Sequence, residues 1–303
     1  MPTQIRTVRR ARAFPRSVLT WLVTLLLMVW PLPGFGQTEV KPGFNLFSPQ
    51  QDIEIGRQSA AQAEKQLPIL KEKSVADYLS RLGRRLAAQA PGERYPYTFK
   101  VVNASEINAF ALPGGPIYVN RGAIEAAQCE AELAGVIAHE IAHVALRHGT
   151  HQASKAYLAQ AGLGILGGVM GRGAAGRIIG AVGGPGLNTL FLKYGRDAET
   201  QADVVGAQIM ARAGYDPRQL AHYFEALQRE AGRDPSKLER FLSDHPSPAD
   251  RTQRIEQEAA LLHYQGAARE VGGFDKVQRL LRKMPKAPRM AETARREPPT
   301  GET

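Results

Sequence analysis

The sequence predicts an α+β domain that is mainly helical, with a small β-sheet beside one long apolar helix. Three observations predict it. Apolar residues recur at helical spacing through most of the middle of the chain. Three short β-type segments cluster between positions 97 and 120. A very apolar helical stretch, 130–147, follows them and nonetheless carries His139, Glu140 and His143.

The elements follow in order. Ser48 or Pro49 opens a helical stretch over 50–66, which Pro68 ends. In 74–89, Val75, Leu79, Leu82 and Leu86 recur at three- and four-residue steps, giving a second helix. Residues 97–102 read as a strand; 107–112 and 117–120 read as two more, joined by the turn Pro113, Gly114 and Gly115. Helices are predicted over 121–128, 130–147 and 196–213, the last stopped by Gly214. Asp216 followed by Pro217 caps and opens a helix to about Glu230, and Asp234 with Pro235 repeats the device. Ser247, Pro248, Ala249 and Asp250 form a capping box that opens a helix to about Leu262.

Composition sets the outer limits. The 303 residues suit one large domain or two small ones, and 43% apolar with 22% charged residues excludes wholesale disorder, collagen and coiled coil. Cys129 is the single cysteine, so neither an intramolecular disulfide nor a multi-cysteine zinc module can form. The net charge of +10 sits at the two ends: 1–36 carries five Arg and no acid, and 276–303 carries eight Lys or Arg against three Glu. The middle is neutral, which argues against nucleic acid as a partner. Residues 1–36 read as a cleaved export signal: a basic start, a 13-residue apolar run to Trp30, then Pro31, Pro33, Gly34 and Gly36. The run is shorter than the ~20 residues of a membrane span. Residues 37–265 form the predicted domain. Within it, 161–186 holds eleven Gly among apolar residues and reads as a mobile loop, either flexible filler or a lid or peripheral membrane contact. Residues 266–303 are expected to form a basic, disordered tail.

The chemistry sits in His139-Glu140-Ile141-Ala142-His143. Residues four apart share one helical face, so both imidazoles can address one ion. Neutral imidazole suits Zn²⁺, and two His plus one carboxylate leave a fourth position open to water. Glu140 can reach that water as general base. Two His and a Glu in so apolar a helix are costly unless something binds them. For the third ligand, Leu146 and Gly149 exclude the extended metzincin pattern. His148, nine residues past His139, falls about half a turn out of phase and reads as a surface or capping residue. A carboxylate on another helix remains. Glu199 is the best candidate, with Asp203 four residues on as an acceptor for a ligand imidazole.

The HExxH motif followed by Glu199 and Asp203 resembles the ExxxD signature of the gluzincins of metallopeptidase family 48. Three further segments are similar to that family: 108–122, Tyr194-Gly195-Arg196 (with Gly195 where Ser is usual), and 243–251 with His245, Pro246 and Arg251. The likeness covers roughly 45–262 and is to the BepA-type periplasmic and Oma-type mitochondrial proteases. The BepA-type C-terminal repeats and the membrane helices of other family branches have no counterpart here, so any docking to assembly machinery is expected to use other surfaces or a partner protein. The resemblance implies a zincin-like fold and one Zn²⁺ per chain, held by His139, His143 and Glu199, with Glu140 as base and Asp203 orienting a ligand imidazole. It implies that His245 either caps the metal or stabilises the oxyanion, supported by Arg251, and that Asn108 lies on a strand edge that pairs with substrate. The expected function is a periplasmic zinc endopeptidase that removes misfolded or stalled envelope proteins. A zinc-bound but proteolytically silent holdase is the alternative, ahead of a purely structural or membrane-binding protein.

Overall fold

The computed structural model describes residues 36–161, 194–231, 245, 250–266 and 270–290. Nearly all of the expected signal and of the glycine-rich stretch, with Asp234, Pro235 and 246–249, lie outside them. The chain divides into Met1–Gly36 and Gln37–Thr303, and every described helix and strand belongs to the second unit.

The mainly helical α+β architecture is the one the sequence predicts. Helix α1, Pro49–Ala63, starts at a reciprocal cap: Gln51 N–H donates to Ser48 Oγ, and Ser48 N–H donates to Gln51 Oε1. Helix α2, Lys73–Ala87, buries Val75, Leu79, Leu82 and Leu86, the face its periodicity marked, together with Tyr78. Three strands form one sheet in the order β1-β3-β2: β1 Thr98–Val102, β2 Ala109–Ala111 and β3 Pro116–Asn120. Strand β1 runs parallel to β3 with Val101 beside Val119. Strand β2 runs antiparallel to β3 with Phe110 beside Tyr118, and it forms one edge of the sheet. The turn between β2 and β3 needs glycine twice, at Gly114 (φ 72°) and Gly115 (φ 123°).

Helix α3, Arg121–Ala126, leads into α4, Glu130–Ala145. Every residue of α4 is buried, its five ionisable side chains Glu130, Glu132, His139, Glu140 and His143 included. It packs against α2, β2 and two later helices, α6 (Arg196–Ala213) and α7 (Arg218–Ala231). Helix α6 has the predicted bounds and ends on Gly214 in the left-handed conformation, φ 84°. Helix α8, Arg251–Leu261, packs on α6 and α7. Among the described residues, no helix is long and apolar enough to cross a membrane.

Two elements differ from expectation. A helix α5, His148–Ala161, starts directly after α4, because Arg147 at φ 60° redirects the chain between them. Part of the expected disordered tail is ordered: α9, Phe274–Lys283, buries Phe274, Val277 and Leu281 in the core. Its few apolar residues all fall on one face, so a low apolar fraction disguised a strongly amphipathic helix. Buried Arg121 holds it in place, donating to the carbonyls of Leu281 (2.6 Å) and Pro285 (2.7 Å).

Candidate metal centre

Helices α4 and α6 carry the centre, and their approach depends on a missing side chain. A Cβ added at Gly206 would lie 3.2 Å from the backbone nitrogen of His139. Glycine there lets α6 lie against α4, so the first turn of α6 reaches the middle of α4. His139 Nε2 and His143 Nε2 are 3.0 Å apart. Glu199 offers Oε1 at 3.3 Å from His143 Nε2 and Oε2 at 3.3 Å from His139 Nε2. His245 joins from outside both helices, with Nδ1 3.0 Å from Glu199 Oε1. Each of these four residues offers a donor atom within 4.8 Å of the others, and all four are buried.

The residues fit a metal ion. Donors bound at about 2.0–2.1 Å in a tetrahedron lie about 3.3 Å apart, close to the 3.0–3.3 Å spacing of His139, His143 and Glu199. The charges point the same way: Glu140, Glu199 and Asp203 are three buried acids, and Arg251 is the one always-charged base among them. Both Glu140 carboxylate oxygens are buried without a hydrogen-bond partner; His245 Nε2 is 3.5 Å from Oε1.

The surroundings order the donors. Asp203 Oδ1 lies 3.1 Å from His139 Nδ1, the nitrogen facing away from the cluster. Arg251 donates to Asp203 Oδ1 through Nε (2.9 Å) and Nη2 (2.7 Å) and lies 3.4 Å from Glu199 Oε2. Its guanidinium covers the Phe224 ring at 3.6 Å, so the aromatic face carries the side of the cation that has no acid. His148 Nδ1 is 2.9 Å from His143 Nδ1, and Tyr194 stacks on the His143 ring at 3.9 Å between centroids. His148 is thus buried at the site, not on the surface, because the redirection at Arg147 breaks the helical phase. Sequence reasoning did not single out His148, Tyr194 or Phe224 for the centre. The one available signal was Tyr194, immediately ahead of the Glu199 helix. Asn108 is buried just before β2; its carbonyl accepts from Asn120 N–H, and the Ala109 carbonyl is 3.4 Å from His245 Nε2. The edge strand and the donor cluster therefore meet at His245.

Burial sets the first direction of each titration and the neighbours set the outcome. Burial pushes Glu140 up and His143 well down. Burial would raise Glu199, but the charges of His245 and His139 hold it well below the usual carboxylate range. Burial would lower His245, yet Glu199 and Glu140 lift it to about 9. Burial brings His148 down to about 4, a neutral imidazole at physiological pH.

A model of peptidase family M48 matches residues 73–259, which contain all of these side chains. The chain belongs to peptidase family M48. It is 27% identical over 257 residues to a beta-barrel assembly-enhancing protease of Yersinia pestis, covering 77% of this chain and 51% of that protein. The likeness to the protein of the same name from Escherichia coli (strain K12) is 31% over 213 residues, 66% of this chain and 42% of the other. A mitochondrial metalloendopeptidase OMA1 of Schizosaccharomyces pombe is 29% identical over 187 residues, 61% of this chain and 52% of the other. The matches thus span about half the length of these relatives. In this M48 chain the four donor residues are buried, and His143 borders a small cleft it shares with Asp52, Arg147 and Tyr194. A cavity of about 780 Å³ lined by Arg121, Glu125, Leu227, Arg282 and Met284 contains none of the cluster residues.

Proposed function

We propose that the protein is a zinc-dependent endopeptidase of misfolded or stalled envelope proteins, exported to the periplasm by its N-terminal segment. The observation that carries the chemistry is the buried set of His139, His143, Glu199 and His245 beside a Glu140 whose oxygens have no hydrogen-bond partner. The envelope task and the compartment rest on the basic-then-apolar N-terminus and on kinship with proteases named for β-barrel assembly.

His139, His143 and Glu199 would hold the zinc, which supplies Lewis acidity to the attacking water and the scissile carbonyl. Glu140 takes the proton from the water and returns it to the leaving amine. A site closed to solvent keeps that carboxylate free of competing donors. Strand β2 is an edge, so an extended substrate can pair with its main chain beside Asn108 and bring a peptide bond to Glu140. Asp203 holds the His139 ring and Arg251 holds Asp203. His245 closes the fourth side of the cluster in this conformation; swung aside, it would face the oxyanion. Kinship with named proteases favours hydrolysis over holding of unfolded clients.

The test is degradation of an unfolded protein by wild type beside Glu140→Gln, with zinc quantified in both. Cleavage by wild type alone, at equal zinc, is the expected result. Cleavage by both would remove Glu140 from the mechanism, and absence of zinc from both would remove the metal.

A further inference from the structure

We propose that His148 is a positioning residue that fixes the His143 imidazole from behind, as Asp203 does for His139, with Gln201 as its anchor. The inference deepens the metal-site reading above and rests on it.

His143 turns Nε2 toward His139 Nε2 (3.0 Å) and Glu199 Oε1 (3.3 Å). Its other nitrogen, Nδ1, meets His148 Nδ1 at 2.9 Å. On its far side, His148 Nε2 lies 3.0 Å from Gln201 Oε1. One placement of protons satisfies the whole row. A lone pair on His143 Nε2, available to a metal, puts the ring proton on Nδ1. That proton is donated to His148 Nδ1. His148 then carries its own proton on Nε2 and donates it to Gln201 Oε1, which can only accept.

The row runs from His143 on α4 to α6, the helix that carries Glu199, because Gln201 lies two residues after Glu199. Each of the two helix-borne imidazoles therefore has a partner on its outward nitrogen: the Asp203 carboxylate for His139, the His148 ring for His143. Tyr194 covers the face of the His143 ring, so its edge and face are both held. His148 is 3% exposed, and burying an imidazole requires such partners.

The experiment is zinc affinity by chelator competition on the full chain, with thermal melting alongside. His148→Phe keeps the ring volume and loses the acceptor. His148→Asn loses the ring but puts Oδ1 at the place of Nδ1. We expect His148→Phe to bind zinc about 10–100-fold more weakly, as for other outer-shell partners of metal ligands, and His148→Asn to keep most of the affinity. A packing role predicts the reverse order. Gln201→Leu should weaken binding less than His148→Phe, and it decides the matter if His148→Phe does not fold. Wild-type affinity in His148→Phe or in Gln201→Leu would overturn the proposal, as would Asn binding no better than Phe. A wild type that takes up no zinc would instead refute the metal-site reading.

Discussion

Replacing Glu140 with Gln should make the protein inactive and more stable at once. The side chain is fully buried, both of its oxygens lack a hydrogen bond, and His245 Nε2, 3.5 Å away, is its nearest recorded charge partner. A buried carboxylate in that position carries a desolvation penalty of several kcal/mol that weak pairing only partly offsets. Gln keeps the shape and removes the charge. Against the gain stand the lost attraction to His245 and the desolvation of a new amide, about 1–3 kcal/mol. A net stabilisation of about 1–2 kcal/mol remains, or roughly 2–8 °C in Tm for a domain of this size. Loss of a general base should lower kcat at least about 100-fold. The assay is thermal unfolding of metal-free wild type and variant, beside cleavage of an unfolded substrate by the zinc-loaded forms. An unchanged or lower Tm in the metal-free variant would refute the claim that this carboxylate is held at the expense of stability.

Three further outcomes follow from the packing and the charges. Gly206→Val should separate α6 from α4, since even a Cβ would sit 3.2 Å from the His139 nitrogen; zinc affinity should fall while Gly195→Ala, with nothing within 4 Å, leaves it unchanged. Arg121→Met strips the donors from the Leu281 and Pro285 carbonyls and should cost about 2–4 kcal/mol in urea unfolding, by leaving buried acceptors unpaired. Glu64 is lowered: burial would raise it, but Lys100 and the Tyr118 hydroxyl outweigh burial. A depressed carboxylate stabilises the fold above its unfolded pKa and loses that contribution as pH falls through the folded value. Wild type should therefore exceed Lys100→Met by about 0.2–1 kcal/mol at pH 7, a partly exposed pair, and the gap should close below about pH 4.

The fold was legible where periodicity and burial agree. Leu79, Leu82 and Leu86 repeat on one face of α2, and the apolar residues of α4 fall on every side of it, so it could only be central. Glu199 and Asp203 could be placed because four residues separate them on a helix whose limits, Arg196 and Gly214, the sequence marks. His148 was misjudged for a physical reason: helical phase was carried past Ala145, but one left-handed residue, Arg147, resets it. Tyr194 and Phe224 were not anticipated as parts of the centre, because their roles depend on tertiary approach to His143 and Arg251. Helix α9 was hidden by its composition, since Val277 and Leu281 matter by position rather than by number.

The end of the described chain has a mechanical consequence. Met290 N–H donates to Glu106 Oε1 at 2.8 Å, and Ser105 N–H donates to the Pro288 carbonyl at 3.0 Å. Both acceptor and donor belong to the link that leads into Asn108 and β2. Residue 290 is therefore a tether point, bonded to Glu106 three residues before the candidate substrate strand begins at Ala109. A polypeptide grafted after it would be confined near that strand at an effective concentration in the millimolar range for a short flexible link. The same geometry makes the position after Met290 a place to insert a fluorescent reporter or a bait peptide whose capture by the sheet edge can be read in a single molecule.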